Sequence, residues 1–251
     1  MRTKIYQEIR KEDLNNPIAI IGLPGIARVG KLAVVRMIVE LNAKRIMDIF
    51  PYDFPAWIIV GKDGVARPLK SSIFFYTGYD RDFFFLTGDA QPLSPVGLHE
   101  YSKFVAQKFH ELGCELIIAL AAFSTGKVPE QPKVHVAATN EDLLNQFLEC
   151  ENTVLFNGGT ITGANGLIPT YGKLYYDIDG VVLLAETYEN LKMDPKASEA
   201  LVNMLNTKLK LNIDTTKINL NDRRLREFFE RIDIEEEEKI QEPGKDRTYI
   251  T

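Results

Sequence analysis

The chain has 251 residues, 45% of them hydrophobic and 26% charged, with a formal net charge of −5. That balance suits a globular protein with a sizeable core; its mild acidity gives DNA or RNA no electrostatic footing, and no apolar run approaches the ~18 residues of a membrane span. The two cysteines, Cys114 and Cys150, lie in apolar stretches without metal-ligand spacing, which fits a reducing compartment, the cytoplasm.

Residues 1–17 are polar and mixed, with no apolar core of the secretory kind, and 4–9 reads as a short edge strand. Ile18-Ala-Ile-Ile21 reads as a buried strand. Gly22, Pro24 and Gly25 then turn the chain, and from Ile26 a helix is expected with Val29, Leu32, Ala33 and Met37 on one face. Strand, glycine turn and helix make the first half of a βαβ unit. Such a turn lies at the carboxyl end of a strand, where open α/β sheets place their binding crevice. The run from Gly25 to Gly30-Lys31-Leu32 fits G-x-x-x-x-G-K, but leucine stands where a P-loop needs the hydroxyl that ligates Mg²⁺. Gly30 and its neighbours therefore read better as a means of packing the helix closely on the sheet, with nucleotide binding the weaker alternative.

Residues 44–50 read as a second strand, broken by Pro51-Tyr-Asp-Phe-Pro55. An extended run at 57–60 precedes a hairpin turn at Lys62-Asp63-Gly64. The stretch 68–76 alternates poorly but carries Ile73, Phe74 and Phe75, while Phe83, Phe84, Phe85 and Leu86 mark 82–87 as a strand buried on both faces. After the loop that starts at Gly88, Tyr101, Phe104, Val105, Phe109 and Leu112 have helical spacing, stopped by Gly113. Residues 115–122 form the most apolar strand, expected to be central, and Ser124 and Thr125 open the loop at its carboxyl end. A short strand at 134–138 and a helix at 141–150 follow. Gly158, Gly159, Gly163 and Gly166 call for a loop with unusual backbone angles or a close approach to another surface, and helix resumes only at 170–176. Residues 180–186 form another buried strand, reaching Glu186 and Thr187. Asp194-Pro195 starts a helix that buries Leu201, Met204, Leu205 and Leu209.

Strands alternating with helices predict an α/β domain with a mostly parallel twisted sheet, covered on both faces, over residues 1–212. Residues 213–251 form a C-terminal helical tail. Within it, 221–232 reads as an amphipathic helix whose apolar stripe is Leu225, Phe228, Phe229 and Ile232. The stripe either packs on its own domain or docks another surface. From Gln241 onward the chain reads as flexible.

For chemistry the chain offers three histidines. His110 lies beside the apolar helix face marked by Phe109, and His99 at the start of that helix; His135, within a short strand, is the best placed. The absence of H-E-x-x-H and C-x-x-C patterns leaves no metal or cofactor to expect, and no G-x-S-x-G elbow supplies a nucleophile. Ser124, Thr125, Glu186 and Thr187 would line the crevice, with the motif glycines supplying backbone N–H donors. This keeps open a small-ligand pocket, phosphorylase- or hydrolase-like, that binds a small anion or nucleoside. The alternative is that Glu186 simply caps or pairs within the fold, and no residue is assigned a catalytic role.

Three motifs, taken in order, resemble the proteasome assembly chaperone 2 family in its archaeal and bacterial branch. The first is Gly22-Leu-Pro-Gly25 followed by Val29-Gly-Lys-Leu-Ala33. Gly159-Thr-Ile-Thr-Gly-Ala-Asn-Gly-Leu-Ile-Pro169 is similar to the family's glycine-rich pattern, and Leu183-Leu-Ala-Glu-Thr187 with Asp194-Pro-Lys-Ala197 to its third signature. The resemblance implies a three-layer αβα fold like that of nucleoside phosphorylases. It also implies a homo-oligomer and, for archaeal members, a non-enzymatic chaperone that binds proteasome α subunits during assembly of the 20S particle. Some members carry a C-terminal hydrophobic-Tyr-x motif that enters pockets on the α-ring. This sequence departs from that pattern: Tyr249 stands third from the end rather than second, preceded by Thr248 and followed by Ile250 and Thr251. Tyr249 and Ile250, with the stripe Leu225, Phe228, Phe229 and Ile232, are the expected partner-binding or oligomerisation residues.

Overall fold

The computed structural model describes residues 1–213; the tail expectations, from Leu225 to Ile250, lie outside the described residues. The chain runs through β1 (Arg2–Ile5), β2 (Ile18–Ile21), α1 (Val29–Glu40), β3 (Lys44–Phe50), β4 (Ile58–Val60), β5 (Ala66–Pro68), β6 (Ser71–Thr77) and β7 (Asp82–Gly88). It continues through α2 (Pro95–Glu111), β8 (Leu116–Ser124), β9 (Val134–Ala138), α3 (Glu141–Leu148), β10 (Thr153–Leu155), α4 (Ala164–Tyr176), β11 (Asp179–Thr187) and α5 (Pro195–Leu209). Nine strands form one sheet in the order β1-β3-β6-β7-β2-β8-β11-β9-β10, and β4 and β5 pair with each other apart from it.

Alternation along the strands sorts the core into two layers. Ile18 and Ile20 of β2, Phe85, Ile118 and Leu183 face α1, α3 and α5, where Val34, Met37, Phe147 and Leu201 meet them. Ala19, Ile21, Phe84, Leu86 and Ile117 face α2 and α4, against Tyr101, Val105, Phe109 and Ile168. The result is three layers, helices on both faces of one sheet. That explains why β7 is buried at every position and reads as an unbroken apolar run.

The sheet is mixed rather than mostly parallel, which corrects the expectation. β7, β2, β8 and β11 are successively parallel, and β10 is parallel to β9. The β1–β3, β3–β6, β6–β7 and β9–β11 junctions are antiparallel. The cause lies in the connections: β6 and β7 are joined across residues 78–81 alone, too short for the crossover that parallel strands need, and β4 and β5 rather than a helix separate β3 from β6.

Four local expectations also change. The N-terminal edge strand is Arg2–Ile5, not 4–9, because residues 2–5 pair with β3. Helix α1 begins at Val29 rather than Ile26, since Ala27 and Arg28 both adopt left-handed backbone angles (φ 46° and 51°). Nor is α1 one-faced: Val29 to Ile38 are all buried, because α5 covers the side away from the sheet. Helix α4 starts at Ala164, six residues earlier than the glycines and proline suggested. Burial of Ala164 and Ile168 against the α2 layer outweighs the weak helix propensity of Gly166 and Pro169. Strand β10, three residues long, is too short to register as a pattern.

Candidate functional site

The carboxyl ends of β7, β2, β8 and β11 lie along one edge of the sheet because those strands are parallel. This edge collects the loop from Gly22 to Gly25, Ser124 and Thr125, and Glu186 and Thr187. Strand β9, antiparallel to β11, begins there, with Val134 opposite Ala185.

The first motif loop is fastened to the second. The Leu23 N–H donates to Asn165 Oδ1 at 3.0 Å, and Asn165 Nδ2 donates back to the Leu23 carbonyl at 3.2 Å. The buried amide thus satisfies a backbone that has just left the sheet, where an unpaired group would be costly. Gln91 makes a second clasp, donating to the Pro24 carbonyl at 2.6 Å and accepting from the Ala164 N–H at 2.7 Å, at the start of α4. Gly163, at φ 87°, precedes that helix start, and a Cβ on it would stand 2.7 Å from Gln91 Oε1. Gly158 and Gly159 lie in the loop before it, and Gly166 sits in the first turn of α4 against Ile161. Neither Asn165 nor Gln91 was a candidate from sequence. The only signals were an asparagine between small residues and a glutamine in a proline-flanked loop.

Gly22 and Gly30 are explained by close approach. A Cβ at Gly30 would stand 2.0 Å from the Leu120 carbonyl oxygen, and one at Gly22 2.2 Å from the Gly30 oxygen. The backbones of β2, α1 and β8 therefore touch, which accounts for the second glycine of G-x-x-x-x-G-K, Gly30, without a nucleotide. Gly25 differs: its backbone is extended (φ −158°), and a Cβ would meet nothing within 4 Å.

The third motif is another clasp. Thr187 Oγ1 donates to Asp194 Oδ2 at 2.6 Å, and Asp194 Oδ1 accepts from the Ala197 N–H at 3.0 Å as the N-cap of α5. The Asp194 N–H donates to the Ala27 carbonyl at 3.0 Å, tying this turn to the left-handed pair before α1. Thr125 donates its N–H to the Thr187 carbonyl at 3.0 Å.

Glu186 has a different setting. Its Oε1 lies 3.1 Å from His135 Nε2, and its Oε2 accepts from the Lys133 N–H at 3.1 Å. The His135 ring sits 4.5 Å from Phe123 and 6.4 Å from Phe156, centroid to centroid. The carboxyl group and the two aromatic rings together fix the orientation of the imidazole. Ser124 does not join this group: its Oγ donates to the Glu189 carboxylate instead. His99 and His110 stack on Tyr171 and Tyr176 of α4, in the outer layer. Burial pushes the pKa of Cys114 up, and that of Cys150 too, so neither favours a thiolate.

Among the described residues, no group of three or more His, Cys, Asp or Glu is placed to hold a metal ion, and no helix is long and apolar enough to cross a membrane. A hollow of about 620 Å³ lies at the opposite, amino edge of the strands, lined by Asn16, Glu115, Asn140, Lys173 and Asp179 among others, none of them a motif residue. A buried charge cluster stands apart as well. Asp48 accepts from Lys70 Nζ at 2.7 Å, Ser72 Oγ at 2.6 Å and the Tyr6 hydroxyl at 2.7 Å. Burial alone would raise the Asp48 pKa, but these donors outweigh it and hold the carboxyl below its ordinary range. At Lys70 burial outweighs the pairing, and its pKa falls.

The PAC2 family model matches residues 19–232. An uncharacterized protein of Methanocaldococcus jannaschii is 29% identical over 229 residues, 91% of this chain and 88% of that one. Among solved structures, Pyrococcus furiosus PbaB, an archaeal proteasome activator, is 30% identical with a TM-score of 0.79, covering 86% of this chain and 91% of that one. Pyrococcus furiosus PbaA, an archaeal homolog of proteasome-assembly chaperone, shares the fold at 24% identity, with a TM-score of 0.67 over 85% of this chain and 88% of that one.

Proposed function

This chain belongs to the PAC2 family, and from that membership we propose that it works as a proteasome assembly chaperone-like protein. In this reading it is a cytoplasmic homo-oligomer that binds proteasome α subunits and promotes 20S assembly. The observation that carries the reading is the 30% identity to an archaeal proteasome activator through 86% of the chain. The core over residues 1–212, nucleoside-phosphorylase-like in its layering, is the scaffold. The segment 213–251 supplies docking through Leu225, Phe228, Phe229, Ile232, Tyr249 and Ile250. The test is light scattering after size exclusion, on the full chain and on a version truncated after Asn219, with and without α subunit. Co-elution that truncation abolishes is the expected result. A defined oligomer that never co-elutes with α subunit and leaves ring assembly unchanged overturns the reading.

A second reading, a small-ligand or phosphorylase-like pocket at the motif edge, draws support from the His135–Glu186 pair set against Phe123 and Phe156. The glycine loops, Ser124 and Thr125 would complete it. Calorimetric titration with nucleosides and inorganic phosphate tests it, and an absence of heat across the panel removes it.

A further inference from the structure

We propose that the β4–β5 ribbon is the arm by which two copies of this chain join. The proposal rests on the self-association in the reading above and names its surface. Among the described residues, strands β4 and β5 pair only with each other, three residues each, outside the nine-stranded sheet. A lone two-stranded ribbon is marginal in water without packing against something else. Yet this one carries its apolar residues outward: Ile58 is 62% exposed and Val65 65%, with Val60 also exposed, and Trp57 at the base is 60% exposed.

The ribbon's root extends the patch. Arg67 grips Asp89 with both terminal nitrogens, at 2.6 and 3.0 Å, fixing β5 to the loop after β7. The neighbouring loop is tied in by Asp53, which accepts from the Ser94 N–H at 2.7 Å while its carbonyl accepts from the Leu93 N–H at 3.0 Å. Tyr52, Leu93 and Val96, all exposed, stand on that platform. Seven half- to mostly-exposed apolar side chains amount to on the order of 800 Å². That summed area matches the share one partner gives to a standard interface of about 1,600 Å².

Three features favour a second copy as the occupant. First, the exposed side chains of Trp57, Ile58, Val60 and Val65 are apolar, with Lys62 and Asp63 only at the hairpin turn, so they ask for an apolar surface, and each copy presents one of matching size. Second, β4 has no neighbour on its outer edge among the described residues, whereas β5 ends in Pro68, which lacks an N–H and blunts that edge. Third, β4 set antiparallel against β4 of the second copy about a twofold axis makes a four-stranded sheet. That arrangement pairs the open edge and sets the same apolar residues of both copies side by side across the axis, which is the closed form an isologous dimer requires.

Trp57 is the chain's single tryptophan, so the unmutated protein reports on its own arm. The experiment measures mass by light scattering, together with tryptophan emission and acrylamide quenching, over a dilution series of the full chain. The same measurements are made on an Ile58→Ser/Val60→Ser/Val65→Ser triple variant and on Tyr79→Ser. Tyr79 is a fully exposed side chain in the β6–β7 turn at the other edge and serves as the control. The expected result is blue-shifted, shielded emission at high concentration that shifts red as the mass falls on dilution. The triple variant should lose at least half the oligomer mass and show red emission throughout, with native circular dichroism, while Tyr79→Ser matches the parent. A natively folded triple variant of parental mass, or a Trp57 equally quenched in oligomer and monomer, overturns the arm and leaves the chaperone reading standing. A full chain that is monomeric at every concentration removes self-association itself. If the triple variant fails to fold, the dilution behaviour of Trp57 in the parent decides alone.

Discussion

Replacing Gly30 by alanine puts a methyl carbon 2.0 Å from the Leu120 carbonyl oxygen and 2.6 Å from its carbon. Both are backbone atoms of a central strand, so no side chain can swing aside, and ordinary contact begins only at 3.4 Å. Helix α1 must therefore lift from β8 by about 1 Å, a gap that forfeits a quarter to a half of each dispersion contact. Val29, Val34, Met37 and Ile38 of α1 are buried in that layer, and each contributes about 1.5–3 kcal/mol through burial. Losing a quarter of that costs about 2 kcal/mol, and residual strain adds about 1–3 kcal/mol. The better helix propensity of alanine returns about 1 kcal/mol. The net expectation is a destabilisation of about 3 kcal/mol, which in a chain of this size lowers Tm by roughly 6–12 °C. Gly25→Ala, five residues away in the same motif, meets nothing within 4 Å on an extended backbone and should stay within about 0.5 kcal/mol of the parent. Thermal and urea unfolding of both variants test the pair. Equal effects, or a silent Gly30→Ala, would refute the claim that close helix–strand approach explains Gly30.

Three further substitutions probe other clasps. Asn165→Ala strips both partners from the buried Leu23 backbone and should cost about 2–5 kcal/mol in urea unfolding. Thr187→Val keeps the branched shape but removes the bond to Asp194, for about 2 kcal/mol by thermal melt, while circular dichroism shows α5 intact because Asp194 still caps it. Asp48→Asn leaves Lys70 without its counter-charge and should cost about 3–5 kcal/mol at pH 7; Asp48→Leu combined with Lys70→Met should cost less than Asp48→Leu alone. Because the Asp48 pKa lies below its unfolded value, its contribution is complete above the ordinary carboxylate range and fades as pH falls through the lower, folded value. Urea unfolding between pH 2 and 7 should show that acid limb in the parent, and a diminished one in Asp48→Asn.

Elements bounded by turn signals and built on one apolar run were legible from the residues alone. The strands at 44–50 and 134–138 have the expected limits, and the helix after Asp194 is capped by that side chain as expected. Strand direction was not legible, because it depends on which distant strands meet. Only the brevity of the 78–81 turn hinted that β6 and β7 run antiparallel. The glycines and proline of α4 hid a helix, since propensity speaks locally and the burial of Ile168 does not. His135 drew notice as the histidine in a strand, but its partner Glu186 is 51 residues away. The two meet only because β9 inserts out of chain order beside β11.

The motif residues themselves bear on where function is carried. Gly22 and Gly30 admit backbone, Asn165 and Gln91 clasp the two glycine loops, and Thr187 and Asp194 close the third. Each is occupied inside the fold, so a chain keeping these motifs keeps the arrangement of its carboxyl edge whatever it binds. The groups left facing outward are of another kind: Gly25, which no packing demands, the half-buried His135–Glu186 pair, and the apolar ribbon from Trp57 to Val65. Relatives that share the scaffold can therefore differ in partner by changing the ribbon while leaving every clasp untouched. Exchanging residues 56–68 between this chain and a relative of different oligomer size should carry the oligomer size with the ribbon and leave thermal stability near that of the parent. If the size stays with the core, the ribbon is not the determinant.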